Sequence, residues 1–130
     1  MYITCRDASG YDLTYRTIPL ALSERGVPQS LDEDSRSVEV VMATENRVRV
    51  FDASRYEVID EVLLMSGWEH ADQCILIDTH DRSTTRNVYG SARSMAVERD
   101  QLVGRAFFSP VDDADAAYIK VREGHLRDFS

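Results

Sequence analysis

Lysine is almost missing from this chain: Lys120 is the only one, so nearly all of its fifteen basic side chains are arginine. Arginine suits fixed, bidentate pairing with carboxylates better than lysine does. Basic charge is also in deficit overall, with 23 acidic residues and a net charge of -8, which argues against nonspecific nucleic-acid binding through a basic surface. Cysteine is reduced to Cys5 and Cys74, far apart and in no CxxC pattern. A zinc ribbon or disulfide scaffold is therefore not indicated, and free thiols in a reducing compartment are expected. No glycine-rich strand-to-helix turn is present, which removes dinucleotide-binding and P-loop readings. No run approaches the roughly 20 apolar residues of a membrane span. The start, MYITCRDASGYDL, has neither the basic nor the apolar region of a signal peptide.

What is there, in 130 residues with 43% hydrophobic and 29% charged, is the composition of one soluble domain with a modest core. Residues 1–12 are polar and are expected to be a flexible N-terminal segment, with a single domain over 13–130. LTYRTIPLAL (13–22) reads as extended, Pro19 marking an edge or break because proline cannot donate to a sheet ladder. SERGVPQSLDEDSRS (23–37) reads as a loop. β-Branched enrichment and alternation predict strands in SVEVVMAT (37–44), NRVRVFD and YEVIDEVLLM, with a hairpin turn at 53–55. CILIDTH (74–80) reads as a buried strand running into a polar segment. SARSMAVERDQLVGRAFFS predicts two strands, near 92–98 and 101–108, joined around Arg99 and Asp100.

The period then changes. Ser109 is placed to cap a helix, Pro110 suits its first position, and Asp112 and Asp113 favour its positive end. Ala114, Ala117, Tyr118 and Val121 share one face, and Gly124 is placed to stop the helix, which predicts an amphipathic helix over about 110–123. HLRDFS alternates again as a strand. Six or more strands with one helix predict an α+β, mostly β domain.

Three histidines are present: His70, His80 and His125. His80 follows an apolar strand and opens HDRSTTR, combining rigid support with solvent access as a general base requires. The plainer reading is a strand-end histidine bonded to Asp78 or Asp81. Metal binding by His70 and His80 with Asp78 or Asp81 lacks a recognised ligand spacing. Ser130 alone says little, since serine is common and terminal residues fray.

Two motifs in order change this balance. IDTHDRSTTRNVYGSARSMAVERDQLVGRAFFS, then a short acidic helix, then KVREGHLRDFS, resemble the prohead proteases of tailed bacteriophages: a strand into His-Asp-Arg-Ser, a glycine, a strand pair, a helix, and a segment close to GHLTDFSVGY that carries the catalytic serine. YRTIPLALSERG, VRVFD and EVIDEVLLM fit the entry of longer members, so the resemblance spans about 13–130.

The resemblance implies His80 as the catalytic histidine and Ser130 as the nucleophile. It implies a closed β-barrel with a flanking helix, similar to herpesvirus assembly proteases. It further implies a capsid-maturation serine endopeptidase that needs no cofactor, acts in the host bacterial cytoplasm inside the procapsid, and takes scaffold and major capsid protein as substrates. In the family the chain continues past the serine, and a downstream acid completes the triad. No counterpart of that acid stands in this chain. Asp78 and Asp81 lie too near His80 along the chain to be favoured, and Asp81 is at most supporting. Arg82 has two readings, pairing with a carboxylate or oxyanion at the site and forming a surface salt bridge. His125, five residues before the serine, would face away from it on a strand. The barrel is accordingly expected to be incomplete at its last strands, inviting self-association or a complementing C-terminal protease segment through residues 125–130. The alternative is a catalytically silent protease-like module that binds scaffold or coat protein. An unrelated β-rich regulatory domain is a third reading.

Overall fold

A computed structural model of the chain describes residues 18–69, 72–79 and 81–129, with side chains from residue 20 onward. Among the described residues, eight strands and one α-helix run in the order β1 (Ile18–Pro19), β2 (Ser37–Thr44), β3 (Val48–Asp52), β4 (Glu57–Glu61), β5 (Gln73–Ile77), β6 (Val88–Glu98), β7 (Gln101–Phe108), α1 (Asp112–Arg122) and β8 (Asp128–Phe129). The α+β, mostly β expectation holds. The closed barrel does not appear among the described residues. Instead there are three antiparallel sheets: a four-stranded one ordered β2-β7-β6-β5, the β3-β4 hairpin, and the short β1-β8 pair.

The four-stranded sheet shows how alternation becomes a core. Along β7, Leu102, Gly104, Ala106 and Phe108 are buried while the residues between them are half-buried, the period of a strand covered on one face. Three bulges adjust which side chains join that face. On β6, three steps from Arg93 to Ala96 are matched by two on β7, from Arg105 to Val103. The extra residue resets the alternation, so Met95, which strict period two would put beside Arg93, is buried with Leu102, Ala43 and Met65. A second bulge between Val41 and Ala43 of β2 likewise returns Ala43 to the core side. The third, between Leu76 and Ile77 of β5 where Tyr89 is the extra residue on β6, turns Tyr89 toward the core.

α1 covers the other half of the same face. Ala114, Ala117, Tyr118 and Val121 are all buried, as their spacing predicts, and the last three pack with Leu20, Val38, Val40, Ala106 and Phe108. The helix begins two residues later than expected. Ser109 does not cap it, because its N–H donates to Tyr89 O at 2.9 Å and prolongs the strand pairing. Val111 takes the cap position with extended dihedrals and no side-chain cap bond. Gly124 does stop the helix, at φ +76°, with its α-carbon so close to the Gly26 carbonyl that a Cβ would collide.

Other expectations shift at their edges. β5 is not buried: Ile75 is 51% exposed, because β5 lies at the edge of the sheet with one described neighbour. β4 stops at Glu61, and Met65, expected in the strand, lies instead in a 3-10 turn, where it is 2% exposed and its N–H donates to Glu45 Oε1 at 2.9 Å. Pro19 sits in a two-residue edge pairing, as proline requires. The N-terminal segment 1–12, expected to be flexible, lies outside the described residues. No described helix is long and apolar enough to cross a membrane.

Candidate functional site

His80, Ser130 and His70 all lie outside the described residues; the chain on either side of His80 and before Ser130 is described, and its geometry is informative. β5 ends at Ile77 and the backbone turns at once. Asp78 N–H donates to Asn87 O at 2.9 Å, and Asp81 N–H donates to Asp78 O at 3.0 Å, closing a tight turn. Thr79, inside it, has φ +49°. A β-branched residue in the left-handed region is a genuine outlier that costs on the order of 1–3 kcal/mol. Such strain persists only where surrounding bonds over-determine it, and it concentrates at functional sites.

The rest of the HDRS loop is braced by Asp81. Its carboxylate accepts the Ser83 N–H at 2.8 Å, and its carbonyl accepts from Asn87 Nδ2 at 3.3 Å. Thr84 Oγ1 accepts the Arg86 N–H in the 3-10 turn that follows. Hydrogen bonds from Ser83, backbone first and then side chain, hold the Asp81 carboxyl below its ordinary value. Tyr89 stands beside Asp78. Burial raises its phenol pKa, and the neighbouring Asp78 carboxylate raises it further. Near position 80, Asp81 is thus hydrogen-bonded to Ser83 and Asp78 lies beside Tyr89. Asp81 is a bracing residue of this loop. Arg82 is exposed and forms no ion pair with a described residue.

The segment before Ser130 meets this region through the sheet. In β8, Phe129 pairs with Ile18 and Asp128 with Pro19. The Phe129 ring stands edge-on to Phe108, centroids 6.5 Å apart. Phe108 pairs with Gly90, and Gly90 with Leu76. With strands about 4.8 Å apart, Leu76 and Phe108 flank Gly90 at roughly 10 Å from each other. The turn that follows β5 and the strand that precedes Ser130 therefore lie at one end of the sheet. Tyr89 and Phe129 pack against the same buried cluster. Gly90 is required here, since a Cβ on it would run into the Phe107 carbonyl.

His125 is exposed, with Nε2 3.9 Å from Glu123 Oε2. Its N–H closes the helix end by donating to Lys120 O at 2.8 Å, a structural position. Among the described residues no three His, Cys, Asp or Glu side chains gather as metal ligands. Thr79 and Tyr89 were not singled out by the sequence. Tyr89 had only a faint signal, an aromatic immediately before a glycine, and Thr79 had none.

No family model matches the chain, and no curated protein or solved structure matches it either.

Proposed function

We propose that this chain carries the histidine and serine of a capsid-maturation serine endopeptidase. The observation that carries the reading is the convergence of two separate motif segments, the strained turn at Asp78–Asp81 and the β8 strand, on one end of the four-stranded sheet, although 50 residues separate the motif histidine from the motif serine along the chain. The order of the motifs, with α1 between them, is the second support.

In this mechanism Ser130 Oγ attacks the scissile carbonyl while neutral His80 takes its proton. The tetrahedral intermediate then collapses, the C–N bond breaks, and the histidine returns the proton to the leaving amine. Backbone N–H groups near the serine hold the developing oxyanion, often the largest single contribution. As in the family that the motifs resemble, the acid that orients the imidazole would come from another segment. A barrel completed by further strands, with scaffold and coat extensions as substrates inside a procapsid, belongs to the same proposal. No cofactor is called for.

The test is the intact mass of the protein after exposure to a fluorophosphonate. Labelling is expected at Ser130, absent in Ser130→Ala, and slowed roughly 10²–10⁴-fold in His80→Ala, the usual worth of a general base. Labelling that is unchanged in His80→Ala would remove the assigned base. Wild-type protein that binds coat protein yet is never labelled would establish the silent binding module in its place.

A further inference from the structure

The four-stranded sheet has one edge that no described residue covers. β5 pairs only with β6, and none of its backbone groups bonds a described residue beyond that strand. Natural sheets blunt such edges with charged side chains, proline or bulges, because a row of unpaired N–H and C=O groups templates another strand. β5 uses none of these. Its sequence is QCILI, and at the irregularity beside Leu76 the extra residue, Tyr89, lies on β6. Of the edge strands longer than two residues, β5 alone carries no charge: β2 has Glu39, β3 has Arg49 and Asp52, and β4 has Glu57, Asp60 and Glu61.

The opposite edge of the sheet is obstructed. Glu39 N–H donates to Ser30 Oγ at 3.0 Å, Ser30 Oγ donates to Glu39 O at 3.4 Å, and Ser37 exchanges backbone bonds with Asp32 at 2.8 and 2.9 Å. The loop before β2 thus occupies its first residues, and the bulge between Val41 and Ala43 interrupts the rest. The two faces of β5 differ as well. Cys74 and Leu76 pack toward the core, so alternation sets Gln73, Ile75 and Ile77 on the other face. Ile75 is exposed, and so is Val88, which pairs with Ile77.

We infer that β5 pairs antiparallel with β5 of a second copy of this chain across a two-fold axis, joining two four-stranded sheets into one continuous sheet. The occupant follows from charge and from the edges. In a chain of net charge -8, copies repel unless they meet where charge is absent, and β5 is such a place. With β2 obstructed, a copy cannot add head to tail through the sheet, so the contact is isologous and stops at two chains. Charge also selects the register. Centred on Ile75, the pairing would set Asp72 against Asp78 of the second copy on both sides of the axis, and like charges directly opposite repel. Centred on Cys74, it would set Gln73 against Ile75. Centred on Leu76, it sets Ile75 against Ile77 on both sides, and Asp78 falls opposite Cys74 rather than another acid. The exposed apolar side chains of the edge are then covered by their own counterparts. The inference does not rest on the protease reading.

The test is sedimentation equilibrium of the whole chain from about 10 μM to about 1 mM, since so short a pairing makes a small interface that dissociates on dilution. The mass is expected to rise with concentration from one chain to two and no further. Ile75→Lys puts a charge on the exposed face of the edge and is expected to weaken dimerisation about tenfold, with the β6-β7 amide signals in place to show an intact fold. In a mixture of isotope-labelled and unlabelled chains, NOEs between Ile75 of one copy and Ile77 of the other are expected. A mass of one chain at the highest concentration, which would leave the edge to a strand of another protein, overturns the proposal. So does growth past two chains, an unchanged dimer in Ile75→Lys, or a dimer whose intermolecular contacts lie away from β5.

Discussion

Asp81 illustrates how much one exposed carboxylate organises in this protein. Hydrogen bonds from Ser83 favour its charged form, so its folded-state pKa lies below its ordinary value. A depressed carboxylate stabilises the fold above the unfolded value, about 3.9, and that contribution is lost as pH falls through the lower folded value. The Ser83 amide resonance should therefore titrate in acid with a midpoint below about 3.9, and Asp81→Asn should abolish the titration while leaving the β6-β7 amides in place. A midpoint at or above the ordinary carboxylate value would show that the turn is not braced in this way. Asp32 and Asp52 use the same device, each carboxylate accepting N–H groups two and three residues on. Three loops are thus held by short-range hydrogen bonds, to which Arg55 adds an ion pair with Asp52 at 3.5 Å.

At the scale of the element, α1 and the β3-β4 hairpin are opposites. α1 is short and lacks a side-chain cap, so its stability comes from the face it buries rather than from its own backbone. Val121 is 0% exposed within that face. Val121→Ala removes buried methyl groups and leaves a small cavity, and should cost about 2 kcal/mol, read as a lower denaturant midpoint with an unchanged slope. A neutral result would mean that the helix is not anchored there. The hairpin leans on itself: Phe51 and Tyr56 meet edge to face at 5.4 Å, and Arg49 reaches Asp60 across the strands at 3.1 Å. Tyr56 is 81% exposed. A two-stranded ribbon of this kind draws little support from a core.

For the whole molecule, charge sets the response to solution conditions. The chain has a net charge of -8, and its described ion pairs lie largely at the surface, where each contributes little. Self-repulsion of the compact state should outweigh them. Raising sodium chloride from low salt to about 0.2 M, where charges more than about 8 Å apart are screened, should raise the melting temperature. A fall would show that attractive pairs dominate.

The sequence by itself determined what depends on neighbours along the chain. The periods of β2, β7 and α1, the turn at 53–55 and the stop at Gly124 were all legible, because alternation, helical spacing and glycine's tolerance of positive φ are local properties. The order of the two motifs was legible too, and the proposal of His80 and Ser130 rests on it. Tertiary structure decided the rest. Only strand pairing made β5 an edge rather than a buried strand, and only the bulges brought Met95 and Tyr89 to the core side. The Ser109 amide was drawn to Tyr89 by a partner twenty residues away, which delayed the helix. Sheet topology brought the end of β5 and β8 to one end of the sheet and set Arg93 opposite Arg105. None of these follows from local preference, since each depends on which backbone groups find one another across the chain.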